Sequence, residues 1–210
     1  AGDFRLHNPE AATHPGGHWD LGDPASVDID SLELLLSIPK ATGARLRLDD
    51  SSEWCAVSGP ADLTQYASGG ELWQSPVHVE RDGAVHLTEP GFVLKTQAGV
   101  RPGRRAQPLF QVHTPTNTLS VHLAQFWENF PSALRWDGHE LGLGLFAATG
   151  RPQELQPGER KTRRFDLRWA GHGETDAPAG PLPHLVVTLS PEYVELCAVP
   201  ELGAASLTDE

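Results

Sequence analysis

The sequence predicts an all-β protein, an antiparallel β-sandwich of jelly-roll-like type with few short helices. Three observations carry this reading. Apolar residues recur at every second position in segment after segment. Turn formers are dense, with 21 glycines and 18 prolines among 210 residues. Helical periodicity is weak throughout, and short strands with turn signals between them are what a sandwich requires.

Residues 1–26 read as an irregular segment packed on the domain, because prolines and glycines crowd positions 14–24. The sandwich proper spans 27–170. Ser31 to Ile38 is an apolar run suited to a buried strand. Ala44 to Asp49 alternates strictly, which turns Leu46 and Leu48 inward and Arg45 and Arg47 to water. Trp54 to Val57 is the next strand or the continuation of the preceding one after a turn. Asp62 to Ala67 and Pro191 to Leu196 are the best short-helix candidates. Val77–Glu80 and Ala84–Thr88 flank Arg81-Asp82-Gly83, a hairpin signature, because glycine accepts the positive φ of a tight turn. Phe92–Thr96 is a short strand, and 99–108 reads as a loop. Thr118 to Phe126 alternates again, and Phe126, Trp127 and Phe130 form a core cluster at a tight bend closed by Pro131. Ala133–Trp136 and Glu140–Phe146 are paired through a second turn at Asp137-Gly138. Arg160 to Trp169 is a long strand with Phe165, Leu167 and Trp169 on one face. Residues 171–183 are a Gly/Pro/Ala linker, and 184–210 hold a final strand or start a following element.

Lys and Arg total 16 against 28 Asp and Glu, a formal net charge of −12. Such a surface disfavours nucleic acid and anionic membranes. No apolar run approaches the roughly 20 residues of a membrane-spanning helix, and no signal peptide is visible, so the chain reads as soluble. Arginine-over-lysine usage with abundant alanine points, by codon bias, to a GC-rich bacterial genome. The absence of methionine implies a processed product or a piece of a longer protein. Cys55 and Cys197 stand in apolar settings, and two readings stay open: buried free thiols, or a disulfide.

No nucleophile elbow, phosphate loop or dinucleotide fingerprint is present, so no catalytic residue is assigned. His14 and His18 are separated by proline and glycine, and His78, His86 and His122 lie on strands, which argues against a zinc site. Asp20, Asp23, Asp28 and Asp30 supply hard oxygen donors near the first strand, a candidate Ca²⁺ set whose plain alternative is turn chemistry. Six tryptophans against two tyrosines make Trp19, Trp54, Trp73 and Trp136 candidates for stacking on sugar rings, with core filling as the competing use. Arg101, Arg104 and Arg105, or Arg160, Lys161, Arg163 and Arg164, are candidate basic patches.

Two stretches carry a resemblance. Phe126-Trp127-Glu128-Asn129-Phe130-Pro131 leads through Asp137-Gly138 into Leu141-Gly142-Leu143-Gly144-Leu145-Phe146, and Gly158-Glu159-Arg160-Lys161-Thr162 then opens the last long strand. This order is similar to the central β-sandwich domain of the exo-rhamnogalacturonan lyase family of polysaccharide lyases, with Glu128 standing where that family usually has glutamine. The likeness covers most of 14–195, including the His-Pro-Gly-Gly-His-Trp stretch and Ser190-Pro191-Glu192-Tyr193.

The resemblance implies a sandwich that supports or assists binding of a pectin-type polysaccharide beside a helical, toroid-like catalytic domain. It places no lyase chemistry on these residues. The expected partners are a polysaccharide or a neighbouring catalytic domain. The alternatives are a free-standing carbohydrate-binding module and a self-assembling structural protein.

Overall fold

A computed structural model describes residues 1–13, 23–70 and 89–171. Fourteen strands run in chain order: β1 Gly2–His7, β2 Val27–Ile29, β3 Leu32–Ser37, β4 Gly43–Arg47, β5 Cys55–Val57, β6 Ala61–Gln65, β7 Phe92–Thr96, β8 Gly99–Gly103, β9 Leu109–His113, β10 Asn117–Leu123, β11 Ser132–Trp136, β12 Glu140–Phe146, β13 Gln153–Leu155 and β14 Arg160–Gly171. They build two six-stranded antiparallel sheets, β1-β14-β10-β9-β4-β5 and β3-β12-β11-β6-β7-β8, with β13-β2 as a small separate ribbon. The protein is an all-β antiparallel sandwich, and no helix occurs among the described residues.

Alternation builds the interior. Leu46, Phe110, Val112, Val121 and Leu123 face inward from the first sheet. Leu63, Leu94, Leu134, Leu141 and Leu143 meet them from the second. At Asp137-Gly138 the β11–β12 hairpin closes: Gly138 takes φ 108°, and Asp137 Oδ1 accepts from the amides of His139 and Glu140. Phe126 is fully buried at the corner where the chain leaves β10 for β11 in the other sheet, and the Phe130–Pro131 peptide is cis.

Several expectations are corrected. The supposedly irregular N-terminus contains β1, whose Phe4 and Leu6 lie opposite Arg163 and Lys161 of β14. Asp62 to Ala67 is not helical, since β6 occupies Ala61–Gln65. Its alternation was masked by Gln65, a polar residue at a core position. Gln65 is fully buried; its Nε2 donates to the carbonyls of Ala67 and Arg104, and its Oε1 accepts from the Ala106 amide.

Residues 99–103 are a strand rather than a loop. β8 lies at the sheet edge, where Pro102 need not supply a ladder donor. The run Ser31 to Ile38 is not a buried strand but a half-buried edge one, with Leu35 54% exposed. The 77–88 hairpin, the 191–196 helix candidate and the 184–210 element lie outside the described residues, as does the linker beyond Gly171.

Candidate binding groove

The outward face of the second sheet carries a row across its strands. The ladder aligns Leu35 of β3, Gly142 of β12, Arg135 of β11, Asp62 of β6 and Lys95 of β7. Each stands one position away from an inward core residue, so the row points away from the other sheet. An open groove of about 580 Å³ runs along this face.

Arg135 organises it. Its Nε donates to Asp62 Oδ2 at 3.1 Å and its Nη1 to Glu33 Oε1, so one guanidinium ties carboxylates from strands on either side of its own. Asp62 Oδ1 also accepts from the Thr64 hydroxyl at 2.7 Å. Between β3 and β11, Gly142 leaves a trough. A Cβ there would sit 3.4 Å from Leu35 Cδ2 and 3.6 Å from Glu33 Oε2, so that second carboxylate oxygen overhangs the trough.

Asp137 and Glu140 line the end of the groove at the hairpin. The amides of His139 and Glu140 hold the Asp137 carboxyl below the ordinary carboxylate range, which keeps it ionised. Lys95 is exposed on the opposite side, and Leu35 adds an apolar surface. The arrangement offers fixed acceptors, an ammonium donor and a hydrocarbon contact in one shallow channel, the equipment for holding a hydroxyl-rich ligand.

Of the sequence-nominated residues, Trp136 borders this groove, but it is only 5% exposed and its ring packs 5.9 Å from that of Phe110. It is a core residue and not a stacking platform. Trp54 is half-buried on the first sheet, where Arg45 and Arg47 lie over its ring at 4.4 and 5.3 Å. Those arginines therefore do not simply face water: they form a stacked patch with the indole. Trp19 and Trp73 lie outside the described residues.

Arg101, Arg104 and Arg105 are all exposed, and none of them lines the groove of the second sheet. Arg101 is exposed on edge strand β8. The Nε of Arg104 donates to the Gly69 carbonyl and that of Arg105 to the Ser68 carbonyl, while the Arg105 guanidinium covers Trp127 at 4.1 Å. Both bind the chain's own loop. Arg163, from the second basic group, is buried.

The described aspartates of the candidate Ca²⁺ set do not converge. Asp23 accepts from the amides of Thr13 and Ala25. Asp28 sits on exposed β2 opposite Glu154, and Asp30 is exposed beyond it. Asp20 lies outside the described residues. Among the described residues no three His, Cys, Asp or Glu side chains gather as metal ligands would. His122 is buried with Nδ1 3.6 Å from Asp166; His14, His18, His78 and His86 lie outside the described residues.

Cys55 is an exposed free thiol, not a buried one. Three-residue β5 ends its sheet, so even an inward register position stays open to solvent there. Cys197 lies outside the described residues.

Sequence reasoning passed over Glu33, Asp62, Lys95, Arg135 and Glu140. A usable signal was present: Arg135 is the single charge within an apolar strand, and Gly142 and Gly144 recur on one face among leucines. No family model matches this chain, and no curated protein matches it.

Proposed function

We propose that this chain is the non-catalytic β-sandwich of a polysaccharide-lyase-like protein and that it holds carbohydrate in the groove of its second sheet. The observation that carries the reading is the Arg135 clamp. A guanidinium that fixes two carboxylates beside a glycine-floored trough creates preorganised acceptors for sugar hydroxyls without an ordering cost at binding. The two resembling segments support the lyase-like reading by their positions. The Phe126–Pro131 segment makes the corner between sheets, and Gly158, with φ 73°, turns the chain into β14. Both are structural tasks, in keeping with a scaffold.

The test is calorimetric titration with a panel of neutral, amine-bearing and uronate oligosaccharides, together with an assay for unsaturated sugar products. Binding that weakens at least about tenfold in Arg135→Ala, with an unchanged far-ultraviolet circular-dichroism spectrum and no product release, is expected. Failure to bind any panel member, or release of unsaturated sugars by this chain alone, sinks the reading. A large oligomer by sedimentation that binds no sugar would point to the structural alternative.

A further inference from the structure

We infer that the groove selects uncharged or amine-bearing glycans and rejects polyuronates. This rests on the carbohydrate reading above and narrows it against the pectin-type ligand that the family resemblance implies.

Among the described residues four carboxylates border the groove, those of Glu33, Asp62, Asp137 and Glu140, and two cations accompany them, Lys95 and Arg135. A ligand carboxylate is held most strongly by a guanidinium with a free fork. Arg135 has neither fork wholly open, because Nε serves Asp62 and Nη1 serves Glu33, so a ligand would meet a guanidinium whose charge two carboxylates already offset. Among the described residues that leaves Lys95, exposed and aligned with Asp62, as the one cation lining the groove whose charge is not already tied to a carboxylate there. Ligand hydroxyls and ammonium groups donate hydrogen bonds, and the groove is rich in acceptors: Glu33 Oε2 overhangs the trough, and Asp137 and Glu140 line its end. A uronate would place like charge beside these carboxylates, which costs affinity. Leu35, 54% exposed beside Gly142, supplies apolar area for the C–H face of a neutral ring.

The cleanest experiment changes ligand charge and nothing else. Galacturonan oligomers are compared in methyl-esterified and de-esterified form by calorimetry, with glucosamine oligomers against their N-acetylated counterparts as a second pair. The esterified form is expected to bind on the order of tenfold more tightly, and the free amine at least as well as its acetylated counterpart. Raising the salt concentration shrinks the first gap. Glu140→Gln, which removes one lining charge, narrows it by about threefold.

De-esterified oligomers binding as well as the esterified ones, or a gap indifferent to both salt and Glu140→Gln, overturns the inference while leaving the carbohydrate reading intact. Failure of every glycan to bind overturns both.

Discussion

Arg163 of β14 reaches across the sandwich and donates its Nε to the carbonyl of Leu145 on β12, at 2.8 Å. The two strands belong to different sheets, so this bond ties the layers directly. The guanidinium also lies 4.5 Å from the centre of the Phe146 ring and is 5% exposed as a residue. Burial pulls its pKa down to about 10, with Glu159 opposing the shift from a distance. Arg163→Ala removes this tie and opens a void. The expected loss is about 2–3 kcal/mol, measured as a lower denaturation midpoint in urea. Arg163→Met restores packing without the buried charge and should recover part of it. Equal stability of wild type and Arg163→Ala would show that the tie is idle.

Gln65 gives the second case. Gln65→Leu preserves bulk but leaves the carbonyls of Ala67 and Arg104 and the amide of Ala106 without this partner. A loss of about 3 kcal/mol or more is expected. Retained thermal stability in Gln65→Leu would contradict the assignment.

Two glycines on one strand should separate folding from binding. At Gly144 a Cβ would lie 2.8 Å from Ala133 Cβ and 3.1 Å from the Ala133 backbone nitrogen. Gly144→Ala therefore forces β11 and β12 apart and costs about 1–3 kcal/mol. At Gly142 the nearest atom would be 3.4 Å away, in a leucine side chain that can rotate. Gly142→Ala should fold normally yet fill the trough, lowering glycan affinity with little change in melting temperature. The reverse pattern would place the binding surface elsewhere.

Acid sensitivity has a local source at the β11–β12 turn. The folded pKa of Asp137 is depressed by the amides of His139 and Glu140. Its stabilising contribution is therefore complete above the ordinary value of 3.8 and disappears as pH falls through the lower folded value. Asp49, held down chiefly by the Ser51 hydroxyl, behaves likewise at the turn after β4. Asp137→Ala should flatten the drop in melting temperature below about pH 4 relative to wild type. An unaltered acid limb would show that this turn does not govern it.

Cys55 should react with a thiol reagent in the native state. A Cys197→Ser variant should label to one equivalent without denaturant, because β5 leaves Cys55 exposed. Protection of Cys55 until unfolding would contradict its edge position.

The strands with clean alternation were legible because their inward residues are uniformly apolar, as in Leu46 and Leu48 or Leu119, Val121 and Leu123. β6 and β8 were not, for opposite reasons. Gln65 places an amide where the pattern demands a hydrocarbon, and Pro102 breaks a strand that only an edge tolerates. The groove was hidden for another reason. Glu33, Asp62 and Arg135 are separated by up to 102 positions, and only the sheet order brings them together. Of the nominated tryptophans that are described, Trp136 fills the interior and Trp54 is taken up by two arginines, an outcome the residue count does not distinguish from an exposed platform.

The pairing of β1 with β14 also bears on biosynthesis. Gly2 meets Phe165, so β1 must wait until β14 has been translated before it finds this neighbour. Closing so long a span carries a large entropic cost before any contact repays it, and an orphan edge is exposed to other chains meanwhile. Nascent copies of this protein should thus depend on chaperone shelter until β14 is translated, and truncations that remove β14 should aggregate while those ending after it stay dispersed.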